Sequence, residues 1–229
     1  MKRMAVIIYG PQGSGKSTQA ELVSRQFGLV HFDTGAVLRD VLYDPKNQEN
    51  PEIQKHRAVN EAGGLNDPEF VLTIVSERIQ TMMESGFGVV FSGSPRTMYE
   101  AFGTDTVDGL FTLLELGCGK EHVHIFFIAL DTSKATQRNE KRFGCPVCKR
   151  QYLPTHSSDG EERLCPICSH PLEVRADDTP SSMVKRLEEY RTRTTPIFDD
   201  LKKRGYQLHE INGDQKPYEV FSDIKHFLH

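Results

Sequence analysis

The sequence predicts an α/β fold in which a parallel five-stranded sheet is flanked by helices. Short apolar segments alternate along the chain with longer segments of helical periodicity. One apolar segment, residues 123–130, is almost unbroken, as expected for a parallel strand covered on both faces. A glycine-rich turn follows the first apolar segment, where such sheets bind ligands. The predicted strands are residues 4–9, 29–32, 87–91, 123–130 and 206–211, and the longest predicted helix is 181–204.

Composition limits the class of protein. A chain of 229 residues and 26.0 kDa suits one sizeable core with small inserted segments. The formal net charge of −4 argues against general nucleic-acid binding. No apolar stretch is long enough to span a membrane, and the first residues lack the pattern of a secretory signal. We therefore expect a cytoplasmic protein that binds neither nucleic acid nor membranes. We also expect a monomer.

Residues 10–17 read Gly-Pro-Gln-Gly-Ser-Gly-Lys-Ser and match the phosphate-binding pattern G-x-x-x-x-G-K-[ST]. The glycines let backbone N–H groups turn inward, and the following helix adds its positive N-terminus. Lys16 is expected to reach the β- and γ-phosphates of ATP, and Ser17 to bind Mg²⁺. A glycine-rich turn without a ligand is the alternative, which the preceding strand and following helix disfavour. The predicted ATP contacts here are Gly10, Gly13, Ser14, Gly15, Lys16, Ser17 and Thr18.

Four of the five cysteines form two CxxC pairs, Cys145 with Cys148 and Cys165 with Cys168. The 16 residues between the pairs are typical of a tetrahedral zinc site. Four thiolates leave no open coordination position, so the predicted Zn²⁺ is structural. Disulfides and free thiols are the alternatives. The remaining Cys118 lies among apolar residues and is expected to be a small buried side chain.

Several segments downstream of the phosphate-binding loop resemble motifs of adenylate kinases and related nucleoside monophosphate kinases. Asp33-Thr34-Gly35 with Arg39 resembles the monophosphate-binding segment of that family. Residues 92–97, Ser-Gly-Ser-Pro-Arg-Thr, resemble its D-G-F-P-R-T motif. The arginines around the cysteine-rich segment also match family positions, namely Arg138, Arg142, Arg175 and Arg186. The resemblance covers nearly the whole chain and is weakest over residues 43–59 and 101–121.

The resemblance implies that these arginines bind the phosphates of two nucleotides, which suits a planar side chain that stays charged. A solvated surface position is the alternative for each of them. The implied catalytic residues are Lys16, Arg96, Arg142, Arg175 and Arg186. The implied ATP contacts beyond the loop are Arg138, Arg142 and Lys216. The implied contacts with the nucleoside monophosphate are Thr34, Arg39, Gly93, Arg96, Glu100, Arg175 and Arg186.

The resemblance also implies a division of the chain into three parts. The P-loop core comprises residues 1–33, 67–141 and 179–229. A helical segment over residues 34–66 would bind the monophosphate, and residues 142–178 would form a zinc-containing lid. Hinges are expected near residues 143–144 and 176–179.

Three residues depart from the family pattern. Ser92 and Ala36 stand where relatives carry aspartates, and Glu100 stands where a glutamine reads the acceptor adenine. A carboxylate only accepts hydrogen bonds, so Glu100 is expected to suit adenine less well than glutamine does. Asp33 is a candidate to order a Mg²⁺-bound water in place of the missing aspartate at Ser92. Its alternative role is to cap the helix that follows.

The sequence therefore predicts a Mg²⁺-dependent phosphotransferase that converts ATP and AMP into two ADP. One alternative is a kinase for GMP, CMP or UMP, since Glu100 changes the expected base contact. The other is a catalytically weakened nucleotide-binding zinc protein, for which Ser92 is the main support.

Overall fold

The computed structural model describes residues 3–62, 64–140, 143–148, 151–152, 163–174 and 180–228. The strands in chain order are β1 (Ala5–Tyr9), β2 (Val30–Phe32), β3 (Val89–Ser92), β4 (Val123–Ala129), β5 (Phe143–Gly144), β6 (Gln151–Tyr152), β7 (Glu173–Val174) and β8 (Leu208–Asn212). Five of them form a parallel sheet in the order β2-β3-β1-β4-β8. The predicted sheet is confirmed, with strand ends shifted by at most two residues.

The helices follow the sequence signals for starts and stops. They are α1 (Lys16–Phe27), α2 (Thr34–Tyr43), α3 (Pro51–Glu61), α4 (Pro68–Glu84), α5 (Met98–Phe102), α6 (Leu110–Cys118), α7 (Thr132–Glu140), α8 (Pro180–Glu189), α9 (Thr195–Lys203) and α10 (Pro217–His226). Asn50 and Asp67 cap α3 and α4, and each is followed by a proline at the first helical position. Each cap and its proline start a new helix, so the described residues between 34 and 84 form three α-helices and not one.

Two apolar clusters cover the two faces of the sheet. Alternate residues of the central strand β1 point to opposite faces, and all five are buried. Ala5, Ile7 and Tyr9 pack with the cluster that includes α4, α6 and α9. Val6 and Ile8 pack with the cluster that includes α1 and α10. The carboxyl edge of this covered sheet holds the candidate site.

The predicted long helix between residues 181 and 204 is interrupted. Residues Tyr190–Thr194 form a π-helical turn between α8 and α9, in which the N–H of Thr195 donates to the carbonyl of Tyr190. Pro196 has no N–H and cannot continue the ordinary ladder of hydrogen bonds, which gives a local reason for the wider turn.

A second small sheet lies in the cysteine-rich segment. The strands β5, β6 and β7 pair antiparallel in the order β6-β5-β7, with Phe143 opposite both Tyr152 and Val174. The sequence predicted an inserted module here but no strands.

Candidate active site

The phosphate-binding loop lies between β1 and α1, as predicted. The N–H of Ser14 donates to the carbonyl of Pro11 over 3.1 Å, and the ammonium of Lys16 donates to the same carbonyl over 2.8 Å. Gly13 has a φ of +89°, and a Cβ there would lie 2.4 Å from the carbonyl oxygen of Ala135. Only glycine fits this position, so the turn depends on it.

An open cavity begins at this loop and extends along the carboxyl edge of the sheet. Its walls come from β1, the loop, α2, α3, the segment after β3, and the α8–π-turn region. The lining residues are Tyr9, Gly10, Gln12, Lys16, Ser17, Asp33, Gly35, Arg39, Asn60, Gly64, Leu65, Ser92, Gly93, Arg96, Arg186, Glu189, Tyr190 and Thr194. The structure therefore brings together predicted residues that are far apart in sequence.

Cationic side chains converge at Gly93. A Cβ on this glycine would lie 3.6 Å from Cε of Lys16 and 3.7 Å from Nη2 of Arg96. Arg39 and Arg186 line the same cavity and act electrostatically on Arg96. A space bordered by one ammonium and three guanidinium groups suits a ligand with several phosphates.

Buried polar atoms around the cavity also point to a ligand. Within the described chain, two residues that line the cavity have a buried side-chain oxygen without a hydrogen-bond partner, namely Tyr9 and Tyr190. Burial raises the pKa of both tyrosines, so their hydroxyls stay protonated and can donate. Buried polar groups normally have a partner, and bound substrate or water would supply it here.

Asp33 caps α2 and also borders the cavity. Its Oδ1 accepts the N–H of Ala36 over 3.1 Å, which confirms the capping role. The proposed contact with a Mg²⁺-bound water is not tested and stays a prediction. Ser92 also lines the cavity, and its hydroxyl pairs with Nε2 of His31 over 2.9 Å. Burial lowers the pKa of His31, which favours its neutral form.

The Glu100 side chain is buried and hydrogen-bonded to neighbouring residues. Its side chain is 5% exposed, and it is absent from the described lining of the cavity. One carboxylate oxygen accepts the N–H of Arg96 over 2.9 Å, and the other accepts the hydroxyl of Thr97 over 3.1 Å. Burial raises the pKa of this carboxyl, and the donors from Arg96 and Thr97 oppose the rise. The predicted base contact has no counterpart in this structure and stays a prediction.

Other predicted contacts lie outside the cavity or outside the described residues. Arg138 donates to the carbonyl of Gly213 over 3.1 Å, next to the turn that leads to the exposed Lys216. Neither side chain is among the lining residues, and neither is that of Thr18. Arg142 and Arg175 fall outside the described residues. Their roles therefore stay predictions.

Sequence reasoning missed two groups of lining residues. Asn60, Gly64 and Leu65 border the cavity from the end of α3 and the segment after it. Tyr190 and Thr194 border it from the π turn, where the hydroxyl of Thr194 donates to the carbonyl of Arg96 over 2.9 Å. Pro196 was the signal for the second group, whereas the first depends on how α3 packs.

The four paired cysteines form one cluster. Their sulfur atoms all lie within 4.8 Å of one another, with Cys145 and Cys168 at 3.4 Å and Cys148 and Cys165 at 3.5 Å. None of the cysteines forms a disulfide. The sulfur spacing fits four thiolates around one ion, because a tetrahedral site with Zn–S bonds of about 2.3 Å has similar separations. The hydroxyl of Tyr152 lies 3.3 Å from the sulfur of Cys165 and can donate to it.

The fold and the cavity define a class of phosphoryl-transfer proteins, in which a P-loop and several arginines line one site. A family model described as adenylate kinase matches residues 8–206. The adenylate kinase of Syntrophomonas wolfei is 33% identical over 98% of this chain and 99% of its own length. The adenylate kinase of Chlamydia pneumoniae is 32% identical over 97% of this chain and 96% of its own length. The chain belongs to the adenylate kinase family, a family of phosphotransferases.

Among the described helices, none combines the length and the apolar character that crossing a bilayer requires.

Proposed function

We propose that this chain transfers the γ-phosphoryl group of ATP to AMP and forms two molecules of ADP. The observation that carries the proposal is the meeting of Lys16 from the phosphate-binding loop with Arg96 from the opposite wall, both next to Gly93. Two polyanions must approach each other in this reaction, and cations from both walls reduce their repulsion. The names of the relatives support ATP and AMP as the substrates.

The proposed roles follow from position in the cavity for Lys16, Arg39, Gly93, Arg96 and Arg186, and from the resemblance to the family for the other residues. Lys16 binds the β- and γ-phosphates, and the loop N–H groups orient them. Arg39 and Arg96 hold the α-phosphate of the acceptor, with Thr34 and Gly93 beside it. Arg186 reaches the transferring group, together with Arg142 and Arg175 by family resemblance. Arg138 and Lys216 serve the donor nucleotide.

The residues near the loop also fit Mg²⁺ bound together with ATP. Mg²⁺ prefers oxygen ligands and neutralises charge between the β- and γ-phosphates. Ser17 and Asp33 both line the cavity and offer a hydroxyl and a carboxylate for this purpose. Their contribution is to place oxygen ligands beside the loop.

We further infer that the four-cysteine cluster holds a structural Zn²⁺ in a lid over residues 142–178, while residues 34–66 form the monophosphate-binding segment. Closure of both segments would exclude water from the reacting phosphates. Four thiolates kept for a metal suit a reducing compartment, so we infer a cytoplasmic location. We also propose that the chain acts as a monomer.

The test is a coupled assay of ADP formation from ATP with AMP, GMP, CMP and UMP. We expect AMP to be the best acceptor. Lys16→Ala should lower kcat by about a hundredfold or more, because it removes the positive charge that binds the phosphates during transfer. Lys225→Ala, an exposed lysine on α10, is the matched control and should behave as the unchanged protein.

Two other results would contradict the proposal. Faster turnover of another monophosphate would assign a different acceptor, in line with the departure at Glu100. No turnover with any of the four, together with retained ATP binding, would indicate a nucleotide-binding protein without kinase activity.

A further inference from the structure

The backbone and side chain of Arg96 are held from three directions. Its N–H donates to Glu100 over 2.9 Å, and its carbonyl accepts the hydroxyl of Thr194 over 2.9 Å. Its own Nε donates to the carbonyl of Gly93 over 2.7 Å. The Arg96 side chain remains exposed toward the cavity, which leaves the end of the guanidinium for a ligand.

Glu100 matches the donors that surround it. The N–H of Arg96 and the hydroxyl of Thr97 both donate, and a carboxylate supplies an acceptor oxygen to each. Thr97 in turn accepts the N–H of Glu100 over 3.2 Å and so caps α5. An amide at position 100 would offer one acceptor oxygen and would turn an NH₂ group toward a donor.

The charge of Glu100 has a second effect on Arg96. The Arg39 and Arg186 side chains repel the Arg96 guanidinium, whereas Glu100 and Asp33 attract it. Because Glu100 is buried, its attraction is screened by solvent less than that of a surface carboxylate. The carboxylate thus helps to keep three arginines in one cavity before a phosphate binds.

We propose that Glu100 is a positioning residue, which orients Arg96 toward the phosphate shared by all nucleoside monophosphates and does not select the acceptor base. This inference rests on the proposed function, because it assigns Arg96 to the acceptor phosphate. A residue at position 100 could have either of two roles, and they differ in which ligands they affect. A residue that orients Arg96 affects every phosphate-bearing acceptor equally, whereas a residue that reads the base affects AMP alone.

The experiment compares AMP with ribose 5-phosphate, which carries the phosphate and the sugar but no base. Dissociation constants for both are measured by calorimetry with Glu100→Ala and Glu100→Gln, and the KM values for AMP and ATP are measured in parallel. Glu100→Ala should raise the dissociation constants of both ligands by the same factor of about ten. This is the loss expected when Arg96 no longer points its charged hydrogen-bond donors at the phosphate. Glu100→Gln, which keeps one acceptor oxygen, should have a smaller effect on both.

Two companion variants separate positioning from general destabilisation. Thr194→Val removes the hydrogen bond to the carbonyl of Arg96. It should raise the dissociation constants of both ligands by an equal factor, as Glu100→Ala does. Glu115→Ala removes a carboxylate on α6 that accepts the hydroxyl of Tyr206 over 2.5 Å, away from the cavity. It should lower the melting temperature without changing either dissociation constant. The KM for ATP should stay within about twofold in every case, since the phosphate-binding loop is not altered.

A change in AMP binding with unchanged ribose 5-phosphate binding would overturn the inference and return Glu100 to the base. Unchanged binding of both ligands would also overturn it, because Arg96 would then need no anchor. If Glu100→Ala does not fold, Glu100→Gln and Thr194→Val give the same comparison. Failure of the proposed function would appear separately, as an absence of turnover in the unchanged protein.

Discussion

At the scale of single residues, the carboxylates near the cavity differ in what they already contact. Asp33 borders the cavity, although one of its oxygens accepts the N–H of Ala36. Glu100 is buried with both oxygens engaged. Asp33 is therefore the better candidate to act on a metal-bound water, and Glu100 is the better candidate to hold protein atoms in place.

The first prediction concerns the charge of Asp33. Asparagine caps helices about as well as aspartate, so Asp33→Asn should keep α2 intact while removing the charge. We expect the Mg²⁺ concentration for half-maximal activity to rise by about tenfold, as for the loss of an outer-shell metal partner, with a lower kcat. Activity is measured in a Mg²⁺ titration at saturating nucleotide.

Asp67→Asn provides the matched control for this prediction. Asp67 caps α4 by accepting the N–H groups of Glu69 and Phe70, and it does not line the cavity in the described chain. It should leave the Mg²⁺ titration unchanged. An unchanged titration for Asp33→Asn as well would restrict Asp33 to its capping role and leave Ser17 and the phosphates as ligands.

Residues fixed by a local motif could be predicted from sequence, whereas contacts across the sheet could not. The loop pattern placed Lys16 and Ser17 because the backbone of that turn determines where they point. The pairing of His31 with Ser92 depends on the register of β2 against β3, which no local pattern encodes. The inward direction of Glu100 likewise depends on the donors that the fold places around it.

At the scale of elements, periodicity identified the long helices and strands but not their irregular parts. The apolar pattern continues from α8 through α9, so the sequence predicts one helix across the π turn. The three strands of the second sheet have two residues each, which is too short for any period to be visible. Only the cysteine spacing indicated that this segment folds.

The second prediction concerns this cysteine-rich module. Its described part has few apolar side chains, so metal coordination should provide much of its stability. Cys165→Ser should lower the zinc content from about one equivalent to well below it and lower the melting temperature. Activity below the new melting temperature should survive in part, because the cluster contributes no cavity residue in the described chain. Zinc is measured with a chromogenic chelator under reducing conditions.

Cys118→Ser is the matched control for the module. Cys118 is a free cysteine on α6 whose sulfur lies 3.2 Å from the carbonyl of Leu114. Its replacement should leave the zinc content unchanged. If the unchanged protein contains no zinc after purification under reducing conditions, the proposed metal-bound lid is wrong.

At the scale of the whole molecule, the burial of all five residues of β1, on both faces of the sheet, explains why the fold could be predicted. A sheet covered on both faces requires helices from each side, and the sequence supplies them between the strands. The cavity was harder to predict, because the π turn after α8 meets the segment after β3 through contacts such as that between Thr194 and Arg96, which are 98 residues apart. Such contacts follow from packing and not from local sequence.

The last prediction concerns the pH dependence of stability. Burial lowers the pKa of His31, His124 and His209 in the folded protein. The unfolded chain takes up protons on these residues near its ordinary histidine pKa of about 6.5, while the folded protein does so only at lower pH. The unfolded state therefore binds more protons in this range, and the free energy of unfolding should fall as the pH decreases below about 6.5. Burial raises the pKa of Glu100, which acts in the opposite direction, so the test compares variants.

His124→Gln isolates one of these contributions. His124 lies half-buried on β4 and is influenced by His122 and His209, whose charges would disfavour its protonation. Denaturant unfolding of the variant and the unchanged protein is measured at pH 8 and at pH 5.5. The difference at pH 8 reports only the change in packing, because histidine is neutral in both states there. We expect the variant to lose less stability between the two pH values, since glutamine takes up no proton on unfolding. An equal loss in both proteins would show that protonation of His124 does not contribute to acid sensitivity.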